Sequence, residues 1–235
     1  MNKLIVVSGG TKGIGRAILE KFMSQGYDVA TCARNTNELL ALKLELQSNF
    51  PTQKVLVFTA NLAQKSETKA FAQAVLALHQ PIDVLVNNTG VFLQGSVLTE
   101  PDGSLEQQIE TNVYSAYYLT KYLIDNMIEQ KNGYVVNICS IASLVAYKAS
   151  GSYSISKFAM LGFSKTLREE LKAHHIKVSS IMPGAVFTDS WAGVPIAQER
   201  FMQTSDIAEI IWTCNQLSPA AVIEEIIMRP MEGDF

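Results

Sequence analysis

Ser140, Tyr153 and Lys157 stand together in the segment SIASLVAYKASGSYSISK. Tyr153 and Lys157 are four apart, so a helix places them on one face. A free phenol loses its proton near pH 10, too high for an efficient acid or base at neutral pH. A fixed ammonium beside it favours the phenolate and brings that value down. A serine hydroxyl can hold a carbonyl oxygen next to the phenol. The three side chains could therefore move a proton on and off an alcohol or ketone oxygen, given a hydride carrier as partner. A second set has the same spacing: Ser104, Tyr117 and Lys121. Spacing cannot choose between the two sets.

The elements that must position these residues follow from hydrophobic pattern. Short apolar runs predict strands over residues 4–9, 28–33, 55–59, 82–87, 134–139, 178–182 and 222–228. Helical patterns are expected over 13–25, 35–47, 66–79, 105–130, 153–174 and 206–217. Ile14, Ala17, Ile18 and Phe22 share one side of the first helix, and Leu39, Leu40, Leu42, Leu44 and Leu46 enrich the second. In the third, Ser66 reads as the N-cap, with Phe71, Val75 and Leu78 inward. Uninterrupted apolar strands alternating with helices predict an α/β fold. It is a single doubly wound, Rossmann-type domain over residues 1–235, a parallel sheet of about seven strands with helices on both faces. Residues 183–204 form the longest irregular stretch and read as a lid.

Composition narrows the function classes. A net charge of −3 and hydrophobic residues at 48% give no electrostatic reason to expect nucleic acid or an anionic membrane. The three cysteines, Cys32, Cys139 and Cys214, form no CxxC or Cys/His cluster, so no metal is expected, and a reducing cytoplasm suits them. The opening apolar run, residues 4–7, is too short for a signal-peptide core, and no targeting segment is expected.

The first strand runs directly into Ser8-Gly9-Gly10-Thr11-Lys12-Gly13-Ile14-Gly15. Glycines 9, 13 and 15 allow a tight turn and close approach of the backbone to a pyrophosphate. The helix that follows offers unpaired N–H groups and the positive end of its dipole. This loop resembles the TGxxxGxG loop of the short-chain dehydrogenase/reductase family, with Ser8 for threonine. Asn87-Asn88-Thr89-Gly90 resembles that family's NNAG strand end, and Asn112 in TNVYSAYYLT its helix asparagine. Ser140 after the fifth strand, Tyr153-x-x-x-Lys157 and the turn Pro183-Gly184-x-Val186-x-Thr188 match in order. The resemblance runs over residues 1–190. It selects Asn112, Ser140, Tyr153 and Lys157 as the catalytic set. Ser140 ends a strand at the carboxyl edge of the sheet, where ligands bind. Ser104 follows Pro101-Asp102-Gly103 and reads as an N-cap, with Tyr117 and Lys121 mid-helix.

The resemblance also implies roles. Tyr153 would protonate a nascent alkoxide and Ser140 hold the carbonyl oxygen. Lys157 would bind the nicotinamide ribose and lower the phenol's pKa, and Asn112 would anchor a water linking Lys157 to solvent. The implied cofactor-binding residues are Ser8, Gly9, Thr11, Lys12, Gly13, Ile14, Gly15, Arg34, Asn61, Leu62, Asn88, Gly90, Tyr153, Lys157, Pro183, Gly184, Val186 and Thr188. Members that prefer NAD carry an acid at the end of strand two. Here Ala33 and Arg34 stand there, and Arg34 with Lys12 resembles NADP-preferring members, so the expected cofactor is NADP(H). Asn61 replaces the family's usual adenine-binding aspartate.

The expected substrate is a small carbonyl compound. Ser140, Leu93, Tyr147, Phe187 and Trp191 would contact it, and Gln94, Ile141, Ala142 and Pro183 complete the wall. The ending SPAAVIEEIIMRPMEGDF departs from the glycine-rich ending of 3-oxoacyl-carrier-protein reductases. It favours a small carbonyl reductase, of the sepiapterin reductase type. The carrier-protein reductase and a non-catalytic NADP-binding sensor stay as alternatives. The long helices 105–130 and 153–174 are apolar around much of their circumference, and the resemblance implies that they pair between copies in a homodimer or homotetramer.

Overall fold

The computed structural model of the chain describes residues 2–191 and 193–234. Seven parallel strands form one sheet in the order β3-β2-β1-β4-β5-β6-β7. They are β1 (Leu4–Ser8), β2 (Asp28–Ala33), β3 (Val55–Thr59), β4 (Ile82–Asn87), β5 (Gly133–Ile138), β6 (Ile176–Pro183) and β7 (Glu225–Met228). The order reverses between β1 and β4, which opens a crevice at their carboxyl ends. The expected doubly wound α/β fold is therefore the observed one.

The main helices are α1 (Gly13–Ser24), α2 (Thr36–Asn49), α3 (Lys65–Leu76), α4 (Ser104–Ile109), α5 (Ser115–Gln130), α6 (Gly151–Leu171) and α7 (Thr204–Gln216). On one face of the sheet, Ile18, Phe22, Leu42, Leu46 and Ile211 pack with Val7, Val29 and Val136. On the other, Phe71, Leu119, Leu123, Leu167 and Leu171 pack with Val6, Leu85 and Val135. With both faces covered, the central strands are buried from end to end, and that is why their sequences run apolar without alternation.

Local details add to or depart from the sequence pattern, each for a physical reason. Leu40 and Leu44 are exposed, because α2 buries a single stripe of Leu39, Leu42 and Leu46. α3 begins at Lys65 with Gln64 in the cap position, so Ser66 is no cap, and it ends at Leu76, which leaves Leu78 exposed. The helix expected over 105–130 is broken by a π-helical turn, Glu110–Tyr114, between α4 and α5. Ser104 lies inside α4 and donates its hydroxyl to the Pro101 carbonyl at 2.7 Å; the cap position is Gly103, at φ 88°. Among the described residues of 183–204 are two 3-10 turns, Asp189–Trp191 and Gln198–Arg200, and a bridge between Val186 and Met202.

A buried polar chain fixes α5 and α6 against the sheet. Asn87 Nδ2 donates to Thr120 Oγ1 at 2.9 Å and to Asn137 Oδ1 at 2.8 Å. Asn137 Nδ2 donates to Ser164 Oγ at 2.9 Å, which in turn accepts from Ser180 Oγ at 2.7 Å. Such groups are costly to bury unpaired, so they tie the two helices to one register over β4, β5 and β6.

Candidate active site

The loop between β1 and α1 is shaped by absent side chains. A Cβ on Gly15 would lie 2.3 Å from the Gly9 carbonyl oxygen and 2.6 Å from Asn88 Nδ2. Gly9 and Gly13 have φ of 72° and 55°, which L side chains rarely adopt. The first turn of α1 has no side-chain cap and no acidic residue. Its leading N–H groups and positive end are left for an anion, which is what a cofactor pyrophosphate needs. Ser8 and Asn88 shape this loop from below. Asn88 Nδ2 donates to Ser8 O and Gly9 O, both at 3.0 Å, and Ser8 Oγ accepts from the Asn88 and Thr89 amides at 2.9 and 3.0 Å. The Ser8 hydroxyl is thus turned into the protein, between β1 and β4, rather than toward a ligand.

Lys12 departs from expectation. Its ammonium lies 3.2 Å from Glu38 Oε1 and 3.4 Å from Asp189 Oδ2. These carboxylates, Glu38 first, hold its pKa above the usual lysine value. Asn35 caps α2, accepting from Asn37 N at 3.0 Å and Glu38 N at 3.2 Å, and so sets Glu38 in the first turn, facing the loop. Arg34, by contrast, is exposed and has no hydrogen-bond or ion-pair partner among the described residues. After β3, Asn61 Oδ1 accepts from Ala63 N at 3.2 Å, and Leu62 is buried.

Asn112 lies in the π-helical turn, 1% exposed. Its Oδ1 accepts from Val91 N at 2.7 Å, and its Nδ2 donates to Val91 O at 3.0 Å and Ser156 Oγ at 2.9 Å. The side chain is thereby occupied in joining the segment after β4 to α6. Lys157 is 6% exposed, and its ammonium donates to the Ile138 carbonyl at 3.0 Å. It lies 5.8 Å from the centre of the Tyr153 ring. A Cβ on Gly90 would sit 3.4 Å from Asn112 Oδ1 and 3.7 Å from Lys157 Nζ, so the segment after β4 runs close beside both. Ser140 Oγ accepts from Ala142 N at 3.1 Å, which leaves its own proton free to donate. Its backbone N–H donates to Ser143 Oγ at 3.2 Å, in the 3-10 turn Ile141–Ser143 that packs on α6. The Tyr153 hydroxyl has no partner among the described residues.

The second set differs in setting rather than spacing. Lys121 lies 5.9 Å from the Tyr117 ring centre, nearly the same as the Lys157–Tyr153 distance. Yet Tyr117 and Lys121 are exposed on α5, Tyr117 packs on Tyr118 and Phe163, and the Ser104 hydroxyl is bound to Pro101. Only the Ser140 set has its lysine buried at the sheet's carboxyl edge.

The segment after β6 arches over the loop. A Cβ on Gly13 would meet Thr188 Cγ2 at 3.2 Å. Phe187 N donates to Met202 O at 2.9 Å and Met202 N to Ala185 O at 3.1 Å, and among the described residues the N–H and C=O of Val186 stay unused. Gly184, next to Pro183, faces the chain's last residues: a Cβ there would lie 2.7 Å from Asp234 Oδ1, which would have to turn aside. Phe187 and Trp191 pack on Phe201, ring centres 5.7 and 5.2 Å apart. Tyr147 is 39% exposed. Leu93 and Gln94 border a cleft of about 530 Å³ with Phe92, Pro101, Ser104 and Gln107.

Sequence reasoning missed Phe92, Gln108 and Ser156. Gln108, four residues before Asn112, carried a readable signal: two amides on one helical face. Among the described residues no helix is long and apolar enough to cross a membrane, and no group of three or more His, Cys, Asp or Glu could hold a metal ion.

Residues 3–198 match the model of the family described as short chain dehydrogenase. Sepiapterin reductase of Chlorobaculum tepidum is 29% identical over 245 aligned positions, covering 100% of this chain and 99% of that protein. Dehydrogenase/reductase SDR family member 7B of Mus musculus is 33% identical over 80% of this chain, but the match spans only 59% of its length. Among solved structures, a metagenomic short-chain oxidoreductase in complex with NADP superposes with a TM-score of 0.83 at 29% identity, over 97% of each chain.

Proposed function

The chain belongs to the short-chain dehydrogenase family and is an oxidoreductase, and from that premise we propose that it reduces a ketone or aldehyde to an alcohol with NADPH, Tyr153 acting as the acid. The observation that carries this reading is Lys157: a buried ammonium beside the Tyr153 ring, fixed by the Ile138 carbonyl. A cation held there offsets the negative charge that the side chain takes on as it gives up its proton.

The residues present fit the cofactor. Gly9, Gly13, Gly15 and the uncapped turn of α1 would take the pyrophosphate, with Thr11 and Ile14 alongside, and Arg34 the 2′-phosphate, the feature that selects NADP over NAD. Asn61 and Leu62 would border the adenine. Gly90, Lys157, Pro183, Gly184, Val186 and Thr188 would hold the nicotinamide half. NADPH, when bound, supplies the hydride. The Ser140 hydroxyl donates to the substrate oxygen and fixes its place. Tyr153 gives its proton to that oxygen as charge develops there, and Lys157 stabilises the phenolate left behind. Asn112 holds the segment at Val91 and the first turns of α6 together, so that Tyr153 and Lys157 keep their positions. The relative named sepiapterin reductase, matched end to end, supports a small carbonyl compound as substrate. The exposed side chains of Tyr114, Tyr117, Ile155 and Phe158 on the π-turn, α5 and α6 are where we place a second copy of the chain.

The test is to mix the protein with NADPH and a panel of diketones, quinones, pterins and 3-oxoacyl thioesters and follow nicotinamide absorbance. Turnover of at least one compound is expected, lost by more than a thousandfold in Tyr153→Phe and unchanged in Tyr117→Phe. Tight NADPH binding with no turnover of any compound, or the reverse pattern of variants, refutes the reading.

A further inference from the structure

The ring of Tyr153 has an aromatic neighbour that no motif includes. Phe92 meets it edge to face, ring centres 4.9 Å apart and planes at 78°. Phe92 is nonetheless 47% exposed. An exposed phenylalanine on a loop would ordinarily wander, but the backbone on either side of this one is bound to buried amides. Val91 exchanges two hydrogen bonds with Asn112, at 2.7 and 3.0 Å. Leu93 N donates to Gln108 Oε1 at 3.1 Å. Gln108 is fully buried, and its Nε2 has no partner among the described residues. Burying an amide with its donor unpaired is unfavourable. The bond from Leu93 is what this side chain contributes in return.

We infer that Phe92 is a specificity-determining wall of the carbonyl site, that Gln108 is the positioning residue which sets it, and that the preferred substrates are ketones carrying a planar aromatic or conjugated group beside the carbonyl. The inference rests on the reading of Tyr153 as proton donor. A carbonyl held at the Tyr153 hydroxyl has its substituent within a ring's reach of Phe92. A flat substituent covers the exposed part of that ring and gains an aromatic contact; a small aliphatic one leaves it in water. Phe92 also borders the cleft shared by Leu93, Gln94 and Pro101, so a substituent that extends from Tyr153 in this direction crosses its ring.

Phenylpropanedione and butanedione differ only by phenyl for methyl and serve as probes. Their affinities are measured by calorimetry on the complex of the intact enzyme with oxidised NADP, which cannot reduce them, and their kinetics with NADPH. The phenyl compound is expected to bind at least tenfold tighter. Adding Phe92→Leu or Gln108→Met should erase most of that preference, with NADPH affinity and butanedione binding held within twofold. On the active enzyme the same changes should lower kcat/KM for the phenyl compound about tenfold more than for butanedione. No phenyl preference, a preference that survives both substitutions, or equal losses on both probes overturns the inference. A preference in binding with no turnover by the active enzyme overturns the reductase reading and the substrate claim with it, whereas turnover without a phenyl preference overturns this inference alone.

Discussion

Replacing Asn112 by leucine keeps the side chain's volume and removes its hydrogen bonds. Three partners are affected: the Val91 N–H, the Val91 carbonyl and the Ser156 hydroxyl. A buried polar group left without its partner costs about 1–3 kcal/mol. Val91 is half-buried, and water recovers part of its loss; Ser156 Oγ still donates to the Tyr153 carbonyl at 2.7 Å. The low end of the range therefore applies to each, about 3 kcal/mol in all. With a urea dependence of about 3 kcal/mol per molar for a chain of this size, the unfolding midpoint should fall by about 1 M. The assay is urea unfolding followed by circular dichroism at fixed protein concentration. Ser156→Ala removes one of the three bonds and should cost only about 1 kcal/mol. A loss under about 1 kcal/mol in Asn112→Leu would mean that Val91 finds other partners. A Ser156→Ala loss as large as that of Asn112→Leu would place the stabilisation in α6 alone. Either result refutes the account of Asn112 as the tie between β4 and α6.

Arg34→Ala should weaken NADPH about a hundredfold in fluorescence titration and leave NADH unchanged, whereas Lys12→Ala should shift NADPH by a few-fold at most, because Glu38 and Asp189 already claim that ammonium. Equal losses in the two variants would return Lys12 to the phosphate site. Gly15→Ala should abolish measurable NADPH binding, since its Cβ would meet the Gly9 carbonyl oxygen at 2.3 Å; retained binding would mean that the loop gives way. Burial pushes the thiol of Cys32 up to about 12 and that of Cys139 up to about 11, and raises that of Cys214. The native protein at pH 8 should therefore give no fast reaction with a thiol reagent and three equivalents after denaturation; a fast native equivalent would contradict the burial.

The strands were legible because a parallel sheet covered on both faces demands uninterrupted apolar runs, and β2, β3 and β4 fall on the residues expected. The glycine loop was legible because close backbone approach leaves no alternative to glycine at Gly15. Less visible was the break at Glu110–Tyr114. A π turn has no composition of its own, and the Asn112 it carries binds Val91, which is remote in sequence. The neighbours of Lys12 were not legible for a related reason: Glu38 and Asp189 come beside it from α2 and from the segment after β6, which are remote in sequence.

By itself, then, the sequence determined the alternation of strand and helix, the loop that only glycine can form, and two candidate sets of serine, tyrosine and lysine at one spacing. Spacing sees only local geometry, and the Tyr117–Lys121 and Tyr153–Lys157 pairs have almost the same. The tertiary structure separated them. It buries Lys157 against the Ile138 carbonyl at the carboxyl edge of the sheet and leaves Lys121 in water. It also laid Phe92 on Tyr153, a contact between chain segments some sixty residues apart that no local pattern encodes. Charge acts through its surroundings, and burial is a property of the assembled fold.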